Sequence, residues 1–518
     1  MALVGKVGRR RIRARFAMVL LYGVLIIGAV TTVYPFLLMA STGFKGASDQ
    51  DDGKMVPQYW SVVSWPGLGG LPAKESLLGK YLLDKYSGDE EKIRSTRIGT
   101  SVDPTGYESF LLGLPVGFYE AGFRTQTGQV TGRLAERYQS WLRARYRDLE
   151  KLNHAYLEED TAFQTVVPPA EMLARKDWHA PQSLKYQDWT LFKSQLPAEF
   201  RIPITEQGMF QDFMRSKFKN QFSAVSPTIA AGAASFAQLK VPSSGPLLAE
   251  FKRTSLPVAF ARETIESFWA KVHSGPLPVD SYETQFVRQH AGELRREFAS
   301  RNYRYVLDYV AINGRSLWNT VIFCVLAILT QLIVNPLAAY ALARYPISAT
   351  GKILLFLLAT MAFPAEVAMI PSFLLLKQFH LLNTFSALVL PTAASGYMIF
   401  LLKGFFDSLP KELYEAGQID GAREITMMMR IALPLSKPVL GYIALMAFMA
   451  AYGSFLYAFL VAQDQRIWTL MVWVYNLQTY APKAVTMAAL VIAALPTLLV
   501  FLLAQNVIMK GIILPGER

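Results

Sequence analysis

Residues Phe405–Pro438 read FFDSLPKELYEAGQIDGAREITMMMRIALPLSKP, a polar island between two apolar segments. Leu381 to Leu402 before it and Pro438 to Gln463 after it carry no charge. Each has the roughly 20 residues a helix needs to cross a hydrocarbon core about 30 Å thick. The island therefore lies outside the bilayer. Its pattern predicts helix, turn, helix, with Ser408 as a cap, Pro410 in a first turn and Asp420-Gly421 as the break. Helix resumes from Arg423 to Ile431, and Leu433-Pro434 ends it.

Outward from this stretch the chain reads as a multispanning membrane protein: 52% of its 518 residues are hydrophobic and its mean hydropathy is +0.24. The net charge of +13 would suit nucleic acid, but its placement argues for membrane orientation. No acidic residue precedes Asp49, while Lys6, Arg9, Arg10, Arg11, Arg13 and Arg15 crowd the basic segment 1–15. Such a cluster directly before an apolar run predicts a cytoplasmic N-terminus and contact with lipid headgroups rather than nucleic acid. The first span, within 16–42, has an uncharged run too long for the core of a signal peptide, so it is expected to be retained.

From 43 to 314 charges, prolines and aromatics appear throughout and no run can span a membrane. This is a soluble insert, and because the first span leads outward it is expected outside the cytoplasm. With Cys324 the only cysteine, no disulfide can staple it, but roughly 270 residues can bury a core unaided. A faint repeat runs through it. Trp141 to Tyr146, Phe213 to Phe218 and Phe286 to His290 recur about 72 residues apart, predicting amphipathic helices on a common core. Phe192-Lys193 with Leu196-Pro197, and Phe251-Lys252 with Leu256-Pro257, form a second echo. Tyr138 to Tyr156 is weakly similar to a helical stretch of family 42 beta-galactosidases but brings no Asn-Glu catalytic pair. Carboxylates such as Glu120, Glu158, Glu159 and Asp160 have no spacing that marks an acid and a base, and read as surface charge.

The segment 315–518 is expected to form a membrane core with spans near 316–343, 353–373, 384–403, 438–463 and 484–509, and the island 405–437 on the cytoplasmic side. Arg344 and Lys352 bracket a short loop that is cytoplasmic by the same positive-inside argument. Glu366, between Pro364 and Pro371, is either a pathway residue or an interfacial one at the outer end, and the second reading is preferred.

At the island the chain resembles a family. Glu415-Ala416-Gly417, Gly421 and Ile431-Ala432-Leu433-Pro434 look like the coupling loop of permeases in binding-protein-dependent ABC importers. Leu402-Lys403-Gly404-Phe405-Phe406, Leu409-Pro410-Lys411-Glu412-Leu413 and Ile419-Asp420-Gly421-Ala422 resemble the second permease of the maltose-transporter type, as does Ala338 to Arg344. The resemblance implies an all-α polytopic fold with six transmembrane helices of the type I importer permease kind, plus the mainly helical insert. It also implies an inner-membrane location with both termini cytoplasmic. Coupling to the ATPase is expected at Glu415, Ala416, Gly417, Asp420, Gly421, Ala422, Leu433 and Pro434. The implied partners are a second permease, two ABC ATPases, an extracytoplasmic solute-binding protein and lipid.

Two departures from the family stand out. Tyr452-Gly453-Ser454 occupies the place of the usual Trp-Asn-acid triplet before Phe455, and Ile512 to Arg518 lacks the usual tail.

No Gly-x4-Gly-Lys-Ser/Thr loop is present, so the chain is expected to carry no cofactor or catalytic residue of its own, and ATP-Mg belongs to the ATPase partners. No metal ligands are expected. For the solute path the fourth and fifth spans offer Ser395, Tyr397, Tyr452, Ser454 and Tyr457. The solute expected is a sugar or oligosaccharide. The rival reading is a membrane-anchored sensor or glycan-processing protein acting through the insert. For the insert of a permease, Arg143, Arg145, Arg215, Lys217 and Arg288 suggest a basic face for an acidic binding protein.

Overall fold

The computed structural model describes residues 12–64, 71–96, 102–124, 133–160, 163–230, 232–312, 315–345, 348–360, 362 and 364–511. The basic cluster from Lys6 to Arg11 and the altered tail from Ile512 lie outside them. The chain forms two compact units, Met1–Asn302 with Ala481–Val485, and Tyr303–Tyr480 with Thr486–Arg518.

The first unit begins with the apolar helix Ile12–Gly43, whose large side chains, Phe16 and Val30 among them, are exposed as a lipid-facing helix requires. Short helices then pack into three hydrophobic clusters. One gathers Tyr81, Tyr138, Trp189 and Phe200, a second Met209, Phe210, Phe251 and Phe260, and a third Tyr107, Trp269 and Tyr282. Tyr119–Ala121 pairs antiparallel with Arg201–Pro203, Tyr119 opposite Pro203. Arg201 is buried and donates to the carbonyls of Leu111, Leu112, Ser194 and Leu196, all at 2.9 Å, which satisfies its charge without a carboxylate.

The repeated motifs do fall on helices, Arg133–Tyr146, Glu206–Lys217 and Val279–Gln289, but not on a common core. Trp141 and Phe286 pack against the first cluster, whereas Phe213 packs against the second. The second echo divides likewise, Phe192 and Leu196 in the first cluster and Phe251 and Leu256 in the second. Periodicity marks which face is buried, not which neighbour buries it.

The second unit is organised around Ser316–Arg344, which packs against Gly396–Asp407 and Lys437–Tyr452. Met18–Gly43, Ser316–Arg344 and Lys483–Gln505 are long and apolar enough to cross a membrane. The other expected spans are each interrupted. The 353–373 run is two helices, Thr350–Thr360 and Ala365–Gln378, with Pro364 extended as the N-cap of the second. The 384–403 run bends by 51° between Phe385–Thr392 and Gly396–Asp407, and the 438–463 run ends its helix at Tyr452 and restarts as Leu456–Val461. A Pro or Gly marks each interruption: Pro364 caps the second helix of the first run, Pro391 follows Phe385–Val389, and Gly453 is the C-cap of Lys437–Tyr452.

Candidate functional site

The island forms the helix Lys411–Ile419, a tight turn, and a second helical stretch through Glu424–Met427, Met428–Ala432 and Leu433–Leu435. Two of the expected boundaries are corrected. Ser408 caps the C-terminus of the preceding helix, its Oγ donating to the Phe405 carbonyl at 2.6 Å, and Pro410 is the N-cap of Lys411–Ile419, with no side-chain cap. Pro410 cannot be helical and a cap at once: with φ −56 and ψ 131 it lies outside the helical region, which pushes the helix start to Lys411. Leu433-Pro434 does not end the second helix either. The backbone widens to a π turn over Met428–Ala432, where Leu433 N–H reaches the Met428 carbonyl, ahead of a proline that has no N–H to offer. The chain breaks instead at buried Ser436, where the axes bend by 82°.

The turn is a Schellman motif. Ala422 N–H donates to the Gly417 carbonyl at 2.9 Å and Gly421 N–H to the Gln418 carbonyl at 3.0 Å, with Gly421 left-handed at φ +73. Open space surrounds the position its Cβ would take, so the turn needs glycine for its backbone and not for room. Gly417 is different: a Cβ there would meet the Met427 sulfur at 3.3 Å and Ile431 Cδ1 at 3.4 Å. It is the point where the two helices close on each other.

One face of Lys411–Ile419 is anchored. Tyr414 is buried, the Arg344 guanidinium lies 4.1 Å from its ring centroid, and Tyr340 stands 6.3 Å away, its hydroxyl donating to Glu424 at 2.8 Å. Burial pushes the Tyr414 phenol up, Arg344 opposing. A cation–π contact of this kind contributes about 1–2 kcal/mol when desolvated. Tyr340 and Arg344, four residues apart at the end of Ser316–Arg344, thus tie the loop to that helix. Both were visible in the sequence as the end of a span. Their supporting role was not.

The other face is open. Glu415 and Ala416 are exposed, Ile419 is 87% and Ile425 72% exposed, and Glu415 makes no hydrogen bond or ion pair among the described residues. Asp420 and Pro434 are also exposed, while Ala422 and Leu433 pack against the cluster around Tyr414. A free carboxylate amid exposed large apolar side chains is the chemistry of a docking surface, able to pair with a basic group in an apolar cleft.

The five path residues lie on or beside Gly396–Asp407, Lys437–Tyr452 and Leu456–Val461. Ser395 caps Gly396–Asp407, its hydroxyl accepting from Met398 N–H. Tyr452 is buried and donates to the Ala493 carbonyl, and Tyr457 donates to the Ala387 carbonyl at 2.6 Å. Tyr397 is partly exposed and Ser454 half-buried, next to the helix end at Gly453. Two polar residues that the sequence reading passed over do converge. Gln331 and Asn335, one turn apart and buried in Ser316–Arg344, reach the bent span: Gln331 Nε2 donates to the Thr392 carbonyl at 3.0 Å and Asn335 Oδ1 accepts from Ser395 N–H at 2.9 Å. Their i, i+4 spacing in an apolar helix was the available signal. Glu366 is exposed in the first turn of Ala365–Gln378.

In the insert, Glu120 pairs with Lys92 and Glu158 with Lys185. The basic face is likewise engaged. Arg145 pairs with Asp188, Arg215 with Asp212, Lys217 with Glu250, and Arg143 lies over Phe163. Arg288 remains exposed.

Comparison with known proteins agrees with the loop. Residues 314–513 match the family described as "Binding-protein-dependent transport system inner membrane component". Protein LplC of Bacillus subtilis is 31% identical over 43% of this chain and 80% of its own length. The trehalose/maltose transport system permease protein MalG of Thermococcus litoralis is 34% identical over 38% of this chain and 72% of its own. A crystal structure of a bacterial ABC transporter that imports the acidic polysaccharide alginate matches 40% of this chain and 78% of that one, at 25% identity and a TM-score of 0.36. The sensor or glycan-processing reading finds no support among these relatives. The chain belongs to the family of binding-protein-dependent transport system inner membrane components, the permease subunits of ABC importers.

Proposed function

We propose that this permease pairs with a second permease to form a carbohydrate path, and that Lys411–Ile419 passes nucleotide-driven closure from separate ATPase subunits to the spans. The observation that carries this is the two-faced helix: Tyr414 locked to Arg344 on one side, Glu415 unpaired on the other. A rigid helix so held transmits movement of its partner to Ser316–Arg344. ATP and Mg belong to the ATPase subunits, and an external binding protein delivers the solute. The carbohydrate assignment is supported by the trehalose/maltose name of the Thermococcus relative. Six spans follow if 350–378, 385–407 and 437–461 each count as one crossing beside the three long apolar helices, with both termini and the loop cytoplasmic and the insert outside. The interrupted spans suit a path, since non-helical backbone at membrane depth is tolerated where it lines a cavity or is buried in protein. Ser395, Tyr397, Tyr452, Ser454 and Tyr457 stay assigned to that region, the two tyrosines with bonded hydroxyls offering ring faces rather than free donors.

Glu415→Lys tests the coupling. The variant should assemble with its partners but lose solute-stimulated ATP hydrolysis. Stimulation equal to wild type would remove Glu415 from the mechanism.

A further inference from the structure

The insert unit holds a polar cavity of about 410 Å³ that the transport reading does not use. Its size falls within the range of about 300–1,000 Å³ usual for small-molecule sites. Lys45, Lys80, Arg124 and Arg301 line it, with Asp84 and Ser48 between them. So many cations would suggest an anionic ligand, but every one is already neutralised. Lys45 pairs with Asp52 at 2.5 Å, Lys80 with Asp49 at 2.6 Å, Arg124 with Glu171 at 3.0 Å and Arg301 with Asp84 at 2.8 Å. Lys74, also on the wall, pairs with Glu90. An added anion would have to compete with a fixed carboxylate at each of these places, and an added cation with a fixed ammonium or guanidinium.

An apolar ligand fits no better. Phe298 lines the cavity, but Lys80 and Arg301 cover its ring at 5.5 Å and 5.0 Å. What the wall offers is a dense set of held donors and acceptors. The ion pairs fix the charged heads in place, so little side-chain entropy is lost when they also bond a ligand. The Ser48 hydroxyl makes no hydrogen bond among the described residues. The second carboxylate oxygens of Asp49 and Asp52, the partners of Lys80 and Lys45, are buried with no hydrogen bond among the described residues. Burial holds the Lys80 ammonium below the usual lysine value against the pull of Asp49. A charge-balanced, hydrogen-bonding cavity of this volume suits a neutral polyhydroxylated molecule.

We propose that this cavity is a binding site for a neutral saccharide. The choice of a saccharide among neutral polyols rests on the transport reading above. The site is built where segments distant in sequence meet. Residues 45–48 follow the first span, Phe298, Arg301 and Asn302 end the insert, and Pro482, Ala484 and Val485 surround the start of Lys483–Gly511. Asn302 closes that ring by donating to the carbonyls of Gly43 and Lys45 at 2.9 and 2.6 Å.

The test is isothermal titration of the full-length chain in nanodiscs with trehalose, maltotriose and digalacturonate. Wild type should bind at least one neutral probe and bind digalacturonate at least tenfold more weakly. Ala47→Trp, at an exposed position on the rim, should weaken the neutral probe at least tenfold with an unchanged melting temperature, and Ser48→Ala should weaken it by a smaller factor. Absence of neutral-probe binding, preference for digalacturonate, or an Ala47→Trp affinity equal to wild type would each overturn the proposal. ATPase activity of the assembled transporter with a sugar-loaded binding protein is measured in parallel. Sugar stimulation without cavity binding overturns the cavity site alone, whereas loss of both removes the carbohydrate reading with it.

Discussion

At the scale of single residues, two glycines do opposite jobs. Gly421 has open space around it and a φ of +73, so a side chain costs strain rather than collision, about 1–2 kcal/mol for an ordinary L-residue. Gly421→Ala should therefore lower solute-stimulated ATPase, while Gly421→Asn, which tolerates the left-handed region, should keep most of it. Equal activities would mean that the turn is not held rigid. Gly396 has the reverse problem. A Cβ there would sit 2.5 Å from the Leu357 carbonyl oxygen and 2.9 Å from its carbon, and backbone cannot yield as a flexible side chain does. Gly396→Ala should force Thr350–Thr360 away and cost at least the roughly 1–3 kcal/mol of ordinary overpacking, read as a lowered melting temperature of the purified complex.

At the scale of elements, the bend in the fourth apolar run is pinned by side chains from Ser316–Arg344. Asn335 satisfies Ser395 N–H, but its own Nδ2 is buried without a partner among the described residues. Removing Asn335 leaves one buried N–H bare, a penalty of about 1–3 kcal/mol, while relieving one orphan donor. The net effect of Asn335→Leu should sit at the low end, about 1 kcal/mol, and fall on transport more than on assembly because the bend loses its register. Thermal stability should drop slightly while uptake in proteoliposomes drops strongly. Uptake that tracked stability alone would show Asn335 to be packing only. Apolar composition marked this run as a span. The break came from Pro391 and Ser395 and from polar partners a helix away, which no window of local hydropathy contains.

At the scale of the whole molecule, the insert enters and leaves at one place, since Asn302 bonds the carbonyls of Gly43 and Lys45. Insertions joined at such neighbouring ends are well tolerated. Deleting 48–301 behind a short flexible linker should leave a permease that assembles, and should abolish stimulation by the binding protein. Full stimulation of the shortened chain would remove docking as the role of the insert. Because Arg145, Arg215 and Lys217 are paired internally, steering of an acidic partner should be weak. Raising ionic strength from about 0.05 to 0.3 M is then expected to change wild-type stimulation by less than about twofold.

The primary sequence determined the class of the chain. Uncharged runs and the Glu415 to Pro434 loop are local patterns, and local patterns are enough to say which segments leave water and which family the loop resembles. The turn at Asp420-Gly421 was legible for the same reason, because left-handed backbone selects glycine at a single position. Tertiary structure decided what depends on distant partners. Tyr414 is an anchor because Arg344 and Tyr340 come to it, Glu415 is free because no described residue does, and Arg145 is spent on Asp188 rather than offered to a partner. The π turn before Pro434, the bend at Ser395 and the charge-balanced wall around Lys80 arise from packing and pairing between residues far apart in the chain. Hydrophobic burial can be read from spacing, but the satisfaction of a polar group can be known only once its partner is in place.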